Sequence, residues 1–562
     1  GDATQYYNFG SVFGGGKGST DNIDGISAAG TTQGDVEVHL NKTHAANNAA
    51  RGAIVHQVFG CNDMNGSPKG DVTVHVYATQ NADKDNISTK YAKDTETYDV
   101  EAVYGVGNLA AYEPEGGKNT TKSTKVIIDG CGLTSIKQVY GGGNAASTPA
   151  TNVEVNGTYE ILELFGGGNG YDNLPDGRPN PGANVGYKNY TVYTKDGEDK
   201  WVASDDSDYD TKEERTAEGS AITYGSGQAS INVYGGTVHR VFGGSNTKGN
   251  VRQTAVTLLD EKSGCEFCVD EAYGGGKSAP MDAEAKLLMA CIPGLQAAYG
   301  GAEAAAIKGN VTLNITNGTF DRVFGGNNLS GTIEGSITVN IEEVGCRPII
   351  IGELYGGGNQ AGYSVYGYND DGTPKETGTK LYEDPQVNVM SFTSIGKVFG
   401  GGFGSGATMV GNPTVNVNEV YGKWYNDNTS VVGEDAKTSG NYPIPSHAKG
   451  KMGAIHTVFG GGNAAKVMGN TTVNIATQAE VYIVKEVTAG AALPEGCYTR
   501  SGAGTTADPF VYTTATGTAS ADVTYYEKQD VLGVDIRDNV YGGGNNAEVT
   551  GDANVNIGKR VE

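Results

Sequence analysis

No apolar run approaches the roughly 18 residues a membrane-spanning helix needs, so nothing in this 562-residue sequence reads as a transmembrane segment. Positive charge is scarce. Lys and Arg total 40 against 65 Asp and Glu, a net charge of −25. Such a surface repels phosphate polymers and anionic bilayers, which argues against nucleic acid and anionic membrane as partners, and no membrane insertion is expected. Proline is low at 16 residues, so the chain is neither collagen-like nor a proline-rich linker. Cysteine is sparse: Cys61, Cys131, Cys265, Cys268, Cys291, Cys346 and Cys497 are scattered too widely for a disulfide framework. Their odd number leaves at least one unpaired or intermolecular. Cys265-Glu-Phe-Cys268 has neither a second C-x-x-C nor a spaced His pair to complete a zinc site, so a local structural role or a disulfide is expected there.

Glycine is abundant, at 88 residues, and it is organised. An aromatic followed by Gly recurs at Phe13, Phe59, Tyr104, Tyr140, Phe165, Phe242, Tyr273, Tyr299, Phe324, Tyr355, Phe399, Phe459 and Tyr541. The closest copies lie 25 or 26 residues apart, a period that signals a solenoid, propeller or array. Each unit holds two apolar pieces. The first follows a Gly-Asn or Gly-Asp turn and alternates strictly, as in Gly469-Asn-Thr-Thr-Val-Asn-Ile475. Period 2 puts Val473 and Ile475 on one side and Thr472 and Asn474 on the other, a half-buried strand. The second piece ends in Val-aromatic, as at Ile395 to Phe399, and its alternation breaks, leaving open which of Val398 and Phe399 points inward.

Two short strands with Gly-rich turns in about 25 residues suit one rung of a parallel β-helix, rungs stacking about 4.8 Å apart. The fold expected is therefore all-β, a parallel β-helix (β-solenoid) with loop insertions. Apolar positions Val339, Ile341, Val415, Val417, Val473, Ile475, Val555 and Ile557 are its expected core. The Gly-Gly-Gly-Asn turns are expected to use φ > 0, which glycine reaches without steric cost.

Residues 1–170 read as N-terminal rungs, 171–223 as an acidic insertion, 224–360 as central rungs and 361–562 as C-terminal rungs with long insertions. Met281-Asp-Ala-Glu-Ala-Lys-Leu-Leu-Met-Ala290 is rich in helix formers and ended by Pro293-Gly294, so one short helical insertion is expected near 281–292. The first motif opens within a dozen residues and the last strand closes just before Glu562, with no capping segment on either side. That pattern predicts end-to-end self-association or a continuation of the chain, because open strand edges are templates for pairing.

Insertions carry recognition in solenoids, which makes Trp201, Trp424 and Tyr425 the candidate ligand-binding residues. Gly167-Gly-Asn-Gly-Tyr-Asp-Asn-Leu174 matches a calcium-binding nonapeptide once, making Asp172 a candidate calcium ligand; the pattern normally needs consecutive copies. Gly274-Gly-Gly-Lys-Ser278 ends like a P-loop, but the first required Gly falls on Glu271, so phosphate binding is not expected. The outward strand position aligns as His39, His75, Asn156, Asn232, Asn314, Asn340, Asn388, Asn416, Asn474 and Asn556. Stacked, it is a polar ladder that stiffens the rungs, or a flat face for carbohydrate. The motif at Phe59 lies between His39 and His75, which argues against adjacent rungs and a metal pair. His56, His239 and His456 each stand three residues before the motif aromatic, a repeat position that suggests structure. No carboxylate pair or nucleophile elbow stands out, so no enzyme is expected.

Val-Phe/Tyr-Gly-Gly-Gly-Asn followed by Gly-Asn-x-Thr-Val-Asn-Ile resembles the adhesin-like surface repeat proteins of bacteria. More distantly it is similar to polymorphic outer-membrane passenger domains. The resemblance implies a right-handed parallel β-helix, secreted or displayed at the cell surface and used for structure or attachment. Its partners would be host or bacterial surface glycans or proteins, or further copies forming a filament. It implies no catalytic residues and no cofactor. The alternative reading is a β-helix polysaccharide lyase or glycosidase.

Overall fold

The alternating stretches become strands because in-register stacking buries their apolar side and satisfies every backbone amide across the ladder. In the computed structural model the described chain excludes residues 1–9, 20–28, 42–54, 80–97, 171–181, 188–189, 196–197, 203–210, 216–222, 262–263, 344–345, 420–452, 486, 503–508, 522, 532 and 560–562. It divides into two compact units, Gly1–Leu287 with Ala302–Gly309, and Leu288–Gly301 with Asn310–Glu562. Each is a parallel β-helix, and the described residues contain no α-helix.

In the first unit one face stacks Val36–Leu40, Val72–Val76, the first halves of Thr124–Tyr140 and Thr151–Phe165, then Gln228–Val233 and Gln253–Leu259, all parallel. A second face stacks Ser11–Phe13, Gln57–Phe59, Val100–Tyr104, the second halves of the same two long strands, Gly236–Phe242 and Phe267–Tyr273. A third, narrow face is built of single bridges running from Thr148 through Val185, Val251 and Met281 to Ile307. The acidic stretch between 190 and 215 forms its own antiparallel sheet, Tyr190–Lys195 pairing with both Glu198–Val202 and Thr211–Arg215.

The second unit repeats the plan. Val311–Ile315, Ile337–Glu342, Gln386–Ser391, Thr414–Val417, Thr471–Ile475 and Ala553–Ile557 make the first face. Gly294–Tyr299, Gly318–Phe324, Ile349–Tyr355, Ser394–Phe399, Ala454–Phe459 and Asp535–Tyr541 make the second. Tyr363–Ser364, Met409–Val410 and Val467–Met468 make the third.

Where the alternation breaks, both residues go inward: Val398 and Phe399 are each fully buried. The valine enters the core while the aromatic ring stacks on its counterpart one rung away. All thirteen motif rings belong to such files. In the first unit Phe13, Phe59, Tyr104, Tyr140, Phe165, Phe242 and Tyr273 stack at 4.6 to 5.0 Å. In the second, Tyr299, Phe324, Tyr355, Phe399, Phe459 and Tyr541 stack at 4.8 to 5.1 Å.

The motif glycines have a different reason from the one expected. Those that follow the rings do not lie at positive φ. They are glycine because the next rung is too close: a Cβ on Gly105 would meet the Gly141 carbonyl oxygen at 2.3 Å, and one on Gly243 the Gly274 oxygen at 2.2 Å. Positive φ is used instead where a second-face strand begins, at Gly236 (94°) and Gly318 (112°).

Four further expectations are corrected. Residues 285–290 form a strand, not a helix, with Ala285, Leu287 and Met289 buried and Lys286 exposed. Helix propensity is worth only tenths of a kcal/mol per residue, and burying two large apolar side chains outweighs it. His39 and His75 are adjacent after all, in register with ring centroids 6.3 Å apart, because the Phe59 motif belongs to the other face. Asn156 leaves its column: Glu154 stands opposite Asn232, and Asn156 donates back to the Glu154 carboxylate at 2.9 Å. Val555 and Ile557 keep their register with Val473 and Ile475 yet are 40% and 70% exposed, since no described strand lies over them. The other six core residues are buried as expected.

Candidate binding surface

Within 480–530, in the part of 361–562 expected to hold long insertions, the described residues form a four-stranded antiparallel sheet. Its order is Glu480–Lys485, Tyr525–Asp530, Cys497–Ser501, Val511–Thr514. Tyr, Val and Thr dominate these strands and suit a pleated, half-buried surface. Pairing register puts Tyr482, Tyr498, Arg500, Tyr512 and Tyr526 on one side. Cys497, Val481 and Tyr525 are buried on the other, and Tyr526 is buried too, while Tyr482, Tyr498 and Tyr512 are half-buried.

Tyr482 and Tyr512 belong to the two outermost strands, yet their rings stack at 3.9 Å, so the sheet curls until its edges meet. Tyr498 meets Tyr482 edge-on at 5.0 Å, and Tyr526 meets Tyr512 edge-on at 5.3 Å. The exposed Arg500 guanidinium carbon lies 4.0 Å from the Phe510 ring centroid and 4.9 Å from that of Tyr526. Phe510 and Val511 are themselves 44% and 53% exposed. Aromatic faces with a fixed cation at their edge can stack on sugar rings or planar groups and hydrogen-bond their substituents.

The sheet is fastened to the β-helix through Glu342, the last residue of Ile337–Glu342, whose carboxylate accepts the Val484 backbone N–H. Burial pushes the Glu342 carboxyl up to about 7, opposed by the Val484 hydrogen bond and the Arg500 charge.

A second concentration of charge lies in the first unit. His239 donates or accepts at both ring nitrogens, Nε2 to Glu160 and Nδ1 to Asp270, each at 2.8 Å. The Glu160 hydrogen bond is the main reason the imidazole is held above its ordinary value, with desolvation opposing it and Asp270 adding to it. Beside it Arg240 reaches Glu163 at 3.2 Å, Glu271 at 3.4 Å and Glu303. Lys277, from the P-loop-like Gly-Gly-Gly-Lys-Ser, gives its ammonium to Glu163 at 2.6 Å. These acids already hold cationic partners on neighbouring rungs, so the cluster clamps rungs together. His456, at the same repeat position as His239, pairs likewise with Asp538 at 3.3 Å.

Of the residues singled out from sequence, Trp201 lies in Glu198–Val202 opposite Val192. Trp424, Tyr425 and Asp172 lie outside the described residues. Among the described residues no group of three or more His, Cys, Asp or Glu is placed to hold a metal ion. The tyrosines of 480–530 were missed individually. Their signal was present in the alternation of Tyr482-Ile-Val484, Tyr498-Thr-Arg500 and Val511-Tyr-Thr-Thr514.

Of the two roles expected at Cys265 the structure takes the disulfide, and the scatter of the cysteines does not prevent pairing. Four of the seven pair, Cys131 with Cys265 and Cys291 with Cys346, with Cα atoms 5.7 and 5.6 Å apart. Stacking brings together residues 134 positions apart, which no sequence spacing reveals. Cys61, Cys268 and Cys497 stand outside the two disulfides. Comparison with family models, curated proteins and solved structures finds no match for this chain.

Proposed function

We propose that this chain is an extracellular structural and adhesive β-solenoid, displayed on a bacterial surface, whose insertions do the binding. The observation that carries the reading is a pair of disulfides joining residues 134 and 55 positions apart in the chain, Cys131–Cys265 and Cys291–Cys346. Disulfides persist in oxidising compartments and are rare in reducing cytosol. The curled sheet at 480–530 supports the binding half of the proposal, because it holds half-buried Tyr482, Tyr498 and Tyr512 beside the exposed Arg500 and Phe510. The acidic net charge keeps such a protein dispersed.

The test is binding of full-length protein to an array of host and bacterial surface glycans and to immobilised surface proteins. Tyr512→Ala and Arg500→Ala are expected to weaken whichever interaction is found while leaving the melting temperature of the β-helix unchanged. No release of reducing ends or unsaturated sugars is expected from neutral or acidic polysaccharides. Turnover of either kind would favour the lyase or glycosidase reading instead.

A further inference from the structure

In the second unit the outward side of the first face carries a continuous amide ladder. Asn340 donates its Nδ2–H to Asn314 Oδ1 at 2.9 Å, Asn388 to Asn340 at 3.0 Å, and Asn416 to Asn388 at 3.0 Å. Asn474 donates to Asn416 at 2.9 Å and Asn556 to Asn474 at 2.8 Å. One amide N–H of each donor and one oxygen lone pair of each acceptor go into the ladder. The second N–H and second lone pair remain, repeated at the rung spacing of about 4.8 Å.

Two residues earlier on each strand, about 7 Å away, runs a second polar column. It is Thr312, Thr338, Gln386, Thr414, Thr472 and Asn554, aligned rung by rung. Neither column contains a charge, although 19% of the chain is Asp, Glu, Lys or Arg. A strand face left to evolve only as solvated surface in so acidic a protein would carry carboxylates. These two columns present uncharged donors and acceptors, and the asparagines are already locked by their neighbours, so little of their side-chain freedom is lost when a partner arrives.

We infer that this face is a docking surface for a neutral polysaccharide lying flat along the Asn314-to-Asn556 column. Hydroxyls both donate and accept, so a neutral glycan answers both remaining functions of every amide and those of the threonine column. An acidic glycan would meet the net negative field of the chain, and an apolar partner would leave the amides unpaired. The 480–530 sheet docks on Glu342, two residues beyond Asn340 on the same side of the strand, and so borders this face without supplying either column.

The experiment uses full-length protein with insoluble cellulose, insoluble chitin, and soluble β-glucan and mannan in affinity electrophoresis. Thr312→Glu combined with Thr414→Glu places two carboxylates in the face at half-buried positions on rungs that are not adjacent, without touching the asparagine ladder. Wild type is expected to bind at least one of these polymers. The double variant should lose about tenfold or more in affinity, some 1.4 kcal/mol, with an unchanged melting temperature. Thr377→Glu combined with Thr379→Glu adds the same charge at exposed positions outside this face and should bind these polymers as wild type does. Three outcomes overturn the inference. One is no binding to any of the four polymers. Another is binding that survives the two carboxylates but is lost in Tyr512→Ala. The third is self-association in sedimentation, abolished by the carboxylates, without glycan binding, which would make a second copy of the chain the occupant.

Discussion

Gly400 and Gly460 face each other on neighbouring rungs with no room for a side chain between them. A Cβ on Gly400 would stand 2.3 Å from the Gly460 carbonyl oxygen. Gly400 does not have positive φ, so alanine is excluded by clearance alone. Gly400→Ala is expected to destabilise the second unit by about 3 kcal/mol, the upper range for overpacking. Gly543, a motif glycine with nothing within 4 Å of its Cβ position, is the control and should tolerate alanine. Thermal unfolding of both variants checks this; equal melting temperatures would remove the clearance argument.

The ring file makes a second prediction. Phe324 stacks on Tyr299 at 5.1 Å and on Tyr355 at 4.8 Å, and it is fully buried. Phe324→Ala should cost about 3–5 kcal/mol, the range for deleting a buried aromatic. Chemical denaturation measures it, and a loss below about 1 kcal/mol would mean the rungs collapse around the gap.

Thiol counting tests the disulfides. Denatured, unreduced protein should react with three equivalents of a thiol reagent, from Cys61, Cys268 and Cys497, and with seven after reduction. Reduction should also lower stability by about 2–5 kcal/mol, because each bond closes a long loop in the unfolded chain. Seven reactive thiols without reductant would remove the main support for an extracellular site.

Glu342 predicts a pH dependence for the attachment of the 480–530 sheet. Its carboxyl is raised from an ordinary 4.5 to about 7, chiefly by burial. A raised acid favours the protonated, docked form. The attachment is therefore strongest below pH 4.5 and weakens as pH rises through 7. The groups facing it are the Val484 N–H, Arg500 and Tyr526. Hydrogen exchange at Val484 should slow on acidification through this range in wild type. In Glu342→Gln the exchange, corrected for its intrinsic pH dependence, should be flat. An unaltered profile in that variant would show that another group controls docking.

Much of the architecture was legible along the chain, and the reason is repetition. Val473 and Ile475 alternate with Thr472 and Asn474 whatever lies beside them, so the inward side of each first-face strand follows from period 2 alone. The recurrence of ring and glycine located both ladders, and the outward asparagines from Asn314 to Asn556 fell into one column because their strands share one register. The candidate surface was legible only as an insertion, since pairing of Tyr482 and Tyr512 at 3.9 Å depends on how far a four-stranded sheet curls.

Tertiary structure decided what depends on which rung stacks on which. The pairing of Cys131 with Cys265, the adjacency of His39 to His75, and the displacement of Asn156 by Glu154 all turn on rung order across insertions of unequal length. It also decided residues 285–290, where burial of Leu287 and Met289 overrode a helical composition. Local sequence carries periodicity and propensity, and these determine the rung. Contact between rungs is a matter of distances between backbones, and those distances, not dihedral preference, are why glycine follows each motif ring.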